Sequence, residues 1–402
     1  MLGAALYLLL MQRFHSLPSG VTAGSNDIQL YREAGEALLS GAIPYRDFFI
    51  EYPPASLLAF VIPALLSQSA GGFAAIFAAQ MSLFLVGSLV LVALAARDSG
   101  RGWLAPALVF AAAALLLYPV ATARYDPLAT LTLAAAVWAA AVSRPLAGYA
   151  ALALGAAAKL VPVLALPALA ATSWNGRGQR PGLGELARRS MPGVALFAAI
   201  TGVIFGAALA VGGGGFIQSF AYHSDRGLQL ESVWTSALMA LGNVEDISFE
   251  FGAFDVSGPG AALGSALSLP LTLALLTVTA LVMYREHRAG RLTRADFPRF
   301  AAAFVLAFMI ASKVLSPQYM LWLLPLLPLA AAGVFGAGVA AIFLAACWTT
   351  TMIYPAHYGQ LMDLDSGAVN LLLARNLLLI LLWVLVLAAP TVQGTAEKGA
   401  ET

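Results

Sequence analysis

The chain alternates long apolar runs with short polar breaks. Runs such as 73 to 96 and 370 to 389 are continuous rather than alternating, so they read as bilayer helices and not as strands of a membrane barrel. Twelve candidate crossings follow: 2–14, 73–96, 103–119, 125–142, 148–158, 161–171, 192–211, 261–284, 300–315, 319–332, 335–353 and 370–389. The stretch 146 to 171 is the difficult one. Read as one helix, it carries one of its basic flanks (Arg144 before it; Arg177, Arg180, Arg188 and Arg189 after it) to the outer side. The positive-inside rule favours two short helices turning near Lys159-Leu160-Val161-Pro162. The expected fold is an all-α, polytopic membrane bundle of about twelve transmembrane or re-entrant helices. It forms one domain over 1–390, with both termini and a short tail, 391–402, on the cytoplasmic side of the plasma membrane.

Composition narrows the function. Of the 402 residues 60% are hydrophobic and 10% charged, against a usual charged share of about 25%, which excludes a soluble enzyme and a disordered chain. A net charge of +1 without a long Lys/Arg block makes nucleic acid no partner. The single Cys347 permits no internal disulfide, and His15, His223, His287 and His357 are too scattered for a local metal motif. Glu245-Asp246 and Asp363-x-Asp365 read as solvated loop acids. No cofactor and no metal are expected.

Charge sorting sharpens this. With the twelve-segment topology, inner loops hold 13 of the 21 basic residues but only 6 of the 20 acidic ones. The other 14 carboxylates fall at or beyond the outer edge, in 15–72, 119–126, 212–260 and 354–369. Two outer loops, 15–72 and 212–260, are long, and long loops in compact domains are usually functional.

In the first of them Ser25-Asn26-Asp27 is a helix-start signal, Leu30, Ala34, Ala37 and Leu38 recur at helical spacing, and Gly41 supplies the stop. This predicts an amphipathic helix of about four turns lying on the membrane surface, with Asp27 at its N-terminus. Pro53-Pro54 then opens an apolar run to Leu66, too short to span, which reads as a second interfacial or re-entrant helix. Asp27 reads as a helix cap, and a capping carboxylate stays ionised, so the same residue can also serve as a base toward a hydroxyl. Asp47 and Glu51 either solvate a turn or add a second carboxylate, and Tyr31, Tyr45 and Tyr52 are interfacial aromatics or sugar-stacking surfaces.

These residues resemble a known family. Asp27-x3-Tyr31, Gly41-x3-Tyr45 and Glu51-Tyr52-Pro53-Pro54 are similar to the first outer loop of glycosyltransferase family 87, in the GT-C superfamily of membrane glycosyltransferases. Gly155-x3-Lys159-x2-Pro162, the loop from Tyr222 through Glu231 to Ser232, and Ser316-Pro317-Gln318-Tyr319-x2-Trp322-x2-Pro325 follow in the same order. The resemblance runs from about residue 25 to about residue 330. It implies a GT-C-type bundle and inverting transfer of a sugar, most often mannose, from a polyprenyl phosphate to an acceptor hydroxyl of a lipid or glycan on the outer face. The family's catalytic carboxylate lies in the first outer loop, and Asp27 is the matching position.

Such chemistry needs a base, a cradle for the departing phosphate and a groove for the lipid. Arg226 and His223 are the phosphate candidates, with Lys159 and Lys313 as further cations inside apolar sequence. Against these stand plainer readings: Arg226 paired with Asp225 or Glu231, Lys313 reaching the interface, Lys159 paired with Asp126, Asp126 a helix cap and Arg124 an interface anchor. Tyr319 and Trp322 mark a kink with an aromatic belt or a lipid groove, and Gly212 to Gly215 reads as a hinge letting its loop move over the site. The competing class is a lipid-linked saccharide flippase, whose essential charges belong near the bilayer midplane between repeats; a structural envelope subunit is a third.

Overall fold

A computed structural model of the chain describes residues 25–173 and 182–391, without the side chains of residues 25, 26 and 223–225. The expected first crossing at 2–14, the tail beyond 391 and the His223 side chain lie outside the described residues.

The chain opens with α1 (Ser25–Leu39) and α2 (Leu57–Leu66), which pack on one another as the two short helices predicted for the first loop. Long helix α3 (Ala70–Asp98) follows, started by Ser69, whose hydroxyl accepts from Gly72 N at 3.1 Å. Next come α4 (Leu104–Leu116), α5 (Asp126–Ala141) and α6 (Pro145–Ala158). Lys159 is extended, breaking the helix before a short 3-10 turn, Val161–Ala165, and α7 (Leu166–Thr172). Gly155 faces Pro162 and Gly148 faces Leu169, so this segment runs back antiparallel along α6. The break falls at the expected Lys159-Pro162 turn, because Pro162 cannot extend the α6 hydrogen-bond ladder.

After α8 (Leu183–Gly212) and α9 (Gly214–Asp225), the expected second loop is largely structured. It carries β1 (Leu228–Gln229), α10 (Val233–Ala240), β2 (Asp246–Glu250) and β3 (Ala253–Ser257). The strands form an antiparallel sheet ordered β1-β3-β2, with Leu228 opposite Val256 and Phe249 opposite Phe254. The β2–β3 turn holds Phe251 and Gly252 at positive φ, the backbone a tight hairpin requires. Helices α11 (Ala261–Arg288), α12 (Phe297–Ala311), α13 (Gly333–Thr351) and α14 (Ser366–Ala388) complete the bundle.

Helix α12 is the hub: every residue in it except Phe308 is buried. By contrast α8 has almost none of its apolar window buried, and Met191, Val194, Val203 and Val211 stand exposed along it. That much uncovered apolar surface matches lipid rather than water.

The structure supports part of the expected set of crossings. Among the described residues five helices are long and apolar enough to span: Ala70–Asp98, Leu183–Gly212, Ala261–Arg288, Gly333–Ala356 and Ser366–Ala388. Several other candidates form helices of 10–17 residues, too short to cross alone. The candidate crossing 319–332 is not an α-helix. It consists of 3-10 segments, Pro317–Leu323 and Leu327–Leu329, because Pro317, Pro325 and Pro328 remove amide donors and clash with a regular ladder. Irregular backbone is tolerated there because protein surrounds it: Met320, Leu321, Leu323, Leu324 and Leu326 are fully buried.

Basic loops collect at one end of the bundle. Arg294 donates to Ser143 Oγ (2.6 Å) and Ser173 O (3.1 Å), and Arg101 to Leu329 O (2.7 Å). The starts of α5 and α12's C-terminus sit at the other end, where a large cavity opens.

Candidate functional site

The cavity encloses about 1010 Å³ between α1, the loop before α2, the α6–α7 turn, the sheet and the 3-10 segment Pro317–Leu323. Segments that are far apart in sequence converge on it: Glu51-Tyr52-Pro53, Arg124 to Asp126, Lys159, Arg226 to Glu231, and Lys313 to Trp322. Their convergence has a backbone cause. Gln229 N donates to Lys313 O (2.9 Å), while its side chain bonds Ser316 Oγ (2.9 Å) and Leu315 N (2.7 Å). One glutamine thereby stitches the 226–232 loop to the Ser316-Pro317-Gln318-Tyr319 motif.

Asp27 stands in the first turn of α1, lines the cavity and forms an ion pair with Arg124. Behind it Tyr31 stacks on Phe60 (centroids 4.4 Å, 6°) and meets Tyr125 and Tyr52 edge-on, both at 5.7 Å. Burial pushes the Tyr31 and Tyr52 phenols well above their ordinary range, so both stay neutral. These rings fix α1, and with it Asp27, against the start of α5. Tyr31 and Tyr52 also line the cavity, as does Glu51.

Asp47 goes elsewhere. It accepts from Ile43 N (2.8 Å), pairs with Arg46 (2.9 Å) and does not line the cavity. Arg46 beside it, together with the Ile43 amide, holds its carboxyl below the usual range. It stabilises the turn that presents Tyr45, whose hydroxyl donates to Tyr52 O at 2.7 Å.

Lys159 meets Asp126, with Nζ 2.7 Å from both carboxylate oxygens. Trp322 Nε1 donates to Asp126 Oδ1 at 2.8 Å, and Lys159 lies over the Tyr125 ring at 4.6 Å. Its charge is matched inside the protein. Tyr319 stacks on Trp322 at 3.9 Å, so this pair forms part of the cavity wall.

Lys313 Nζ donates to Arg226 O at 2.5 Å and fixes the arginine's backbone at the cavity edge. Arg226 Nε is buried and makes no hydrogen bond with a described group. The expected alternative pairing of Arg226 with Glu231 does not form, because Glu231 sits 3.4 Å from Arg375. His223 belongs to α9. The Gly212 to Gly215 run is not a free hinge: a Cβ on Gly212 would lie 2.6 Å from Tyr45 Cβ, and one on Gly215 would overlap Tyr45 O. These glycines let the α8–α9 corner pack against the Tyr45 turn.

Sequence patterns offer Glu231 only as a partner for Arg226 and pass over Arg375, its partner in the structure. Arg375 is fully buried within the run 370–389, and a lone charge in a spanning segment is the signal that finds it. Among the described residues no three His, Cys, Asp or Glu side chains form a group that could hold a metal ion.

The bundle, with charged side chains set in a largely apolar cavity, fits a membrane protein that handles a polar group beside lipid. Residues 49–317 match the model of glycosyltransferase family 87, more than half of the chain, and the chain belongs to that family. It is therefore a membrane glycosyltransferase. No curated protein matches the chain. The match begins at residue 49, so Glu51, Lys159, Arg226 and Lys313 fall inside it, while Asp27, Tyr319 and Trp322 lie beyond its ends.

Proposed function

We propose that the protein transfers a sugar, mannose by preference, with inversion from a polyprenyl phosphate to a hydroxyl of an envelope lipid or glycan. Asp27 is the general base. The supporting observation is a carboxylate, Asp27, held by Arg124 in the same cavity as the cations Arg226 and Lys313. In the reaction the acceptor oxygen bonds to the anomeric carbon as its proton passes to Asp27. The bond from that carbon to the phosphate oxygen breaks, and polyprenyl phosphate departs with the electron pair.

Charge growing on that phosphate is stabilised by fixed cations in a site shielded from water. Arg226, with an uncommitted Nε, suits this better than Lys159, which Asp126 neutralises. Apolar residues Leu160, Val163 and Phe308 on the cavity wall suit the lipid tail. The gathering of arginines at the opposite end supports a cavity on the extracytoplasmic side of the plasma membrane. Purified protein given a panel of labelled polyprenyl-phosphate sugars and lipid or glycan acceptors tests the reading. Transfer with inverted anomeric configuration is expected, and a product of retained configuration contradicts it.

A further inference from the structure

Glu231 is fully buried and lines the cavity, yet neither carboxylate oxygen accepts a hydrogen bond from a described group. Its one charged contact is loose. Arg375 Nη2 gives its short hydrogen bond, 2.8 Å, to the Glu231 main-chain carbonyl and stays 3.4 Å from Oε2. A charge-assisted hydrogen bond closes to about 2.7–2.9 Å, so at 3.4 Å Arg375 balances the charge of the buried carboxylate while its oxygens still take no hydrogen bond from a described group. Asn376, one residue on in α14, holds the same loop through Ser232 O at 3.2 Å.

The surroundings select a ligand chemistry. Tyr354 and Tyr358 line the cavity beside Glu231, edge to face at 5.1 Å. An acceptor-only carboxylate next to aromatic faces suits a saccharide, whose hydroxyls donate to oxygens while its C–H face packs on rings. A phosphate is unsuited, since it repels a carboxylate. We propose that Glu231 is a specificity-determining residue that accepts hydrogen bonds from hydroxyls of a bound sugar. This rests on the transfer reading above and extends it to how the sugar is recognised.

The groups facing Glu231 are Arg375 from α14, Arg124 ahead of α5, and Tyr354 and Tyr358 after α13. Burial raises its carboxyl to about 7, with Arg375 and Arg124 pulling the other way. Hydroxyls donating to both oxygens favour the ionised form, so binding drives a proton off Glu231 into solvent.

The experiment compares each sugar substrate with its single-deoxy analogues, using wild type and Glu231→Gln. For one deoxy position wild type should lose about 10- to 100-fold in kcat/KM, the scale of one charge-assisted hydrogen bond. In Glu231→Gln that discrimination should collapse to a few-fold. Whether the affected analogue is a donor or an acceptor states which sugar Glu231 reads. A second arm needs only wild type: the ratio of parent to deoxy-analogue affinity should rise with pH through about 7. Transfer with equal discrimination in both proteins, or a pH-independent ratio, overturns the inference alone. Neither binding nor transfer by wild type with any donor overturns the transfer reading and the inference together.

Discussion

The Lys159–Asp126 pair offers a test of how the cavity is held together. Lys159→Met keeps the aliphatic stem and removes the charge; Asp126→Asn keeps an acceptor for Trp322 Nε1 and removes the charge. Side-chain exposure is 18% for Lys159 and 1% for Asp126, with Nζ at 2.7 Å from the carboxylate, so the partner left behind by either change is a buried, unmatched charge. Such a change costs about 3–5 kcal/mol. Removing both charges leaves neither stranded, and the double variant should cost less than either single one, within about 2 kcal/mol of wild type. The coupling follows from the four stabilities measured by denaturant unfolding in detergent micelles. The same double variant should keep transfer activity, because Lys159 spends its charge on Asp126. Single losses that simply add in the double variant refute the pairing, and a double variant that is stable but inactive refutes the role given to Lys159.

Three more outcomes follow from the same structure. Gly215→Ala drives a Cβ into Tyr45 O and should destabilise the protein by about 1–3 kcal/mol, whereas Gly214→Ala, with nothing within 4 Å of its Cβ, should be nearly neutral by thermal melting. The Glu231 carboxyl is raised in the folded protein to about 7 from an ordinary 4.5, so the folded chain binds more protons than the unfolded one across that window. Stability should fall as pH rises from 4.5 to 7, by at most ~3 kcal/mol from this group, and Glu231→Gln should flatten that slope; an unchanged slope refutes the assignment. Transfer should persist in excess chelator, and a loss restored by magnesium or manganese contradicts a metal-independent site.

Much of the site was legible because its pieces are short local signals. Asp27 at a helix start, the Pro53-Pro54 helix opening and the Lys159-Pro162 break each follow from residues within a few positions of each other. The Asp126 partner of Lys159 was also foreseeable, since a lysine in apolar sequence demands one. What local patterns cannot carry is three-dimensional convergence. Nothing near Gln229 announces that it bonds Leu315 and Ser316, and the pairing that takes Glu231 to Arg375 spans most of the second half of the chain. The 319–332 segment misled for a related reason: hydropathy reports burial, and a largely buried, proline-broken run of 3-10 turns is as apolar as a helix. Gly212 to Gly215 misled because flexibility and close packing both call for glycine, and only the position of Tyr45 separates them.

The central claim is that Asp27 takes the acceptor proton. Its most direct test is the single-turnover transfer rate of Asp27→Asn beside wild type, in protein shown by melting to be folded. Asparagine keeps the shape and a hydrogen bond to Arg124 but accepts no proton, so the account predicts a fall of about 10²- to 10⁴-fold in rate with donor binding largely retained. Transfer by Asp27→Asn within a few-fold of wild type contradicts it and moves the base to another carboxylate of the cavity, with Glu51 first.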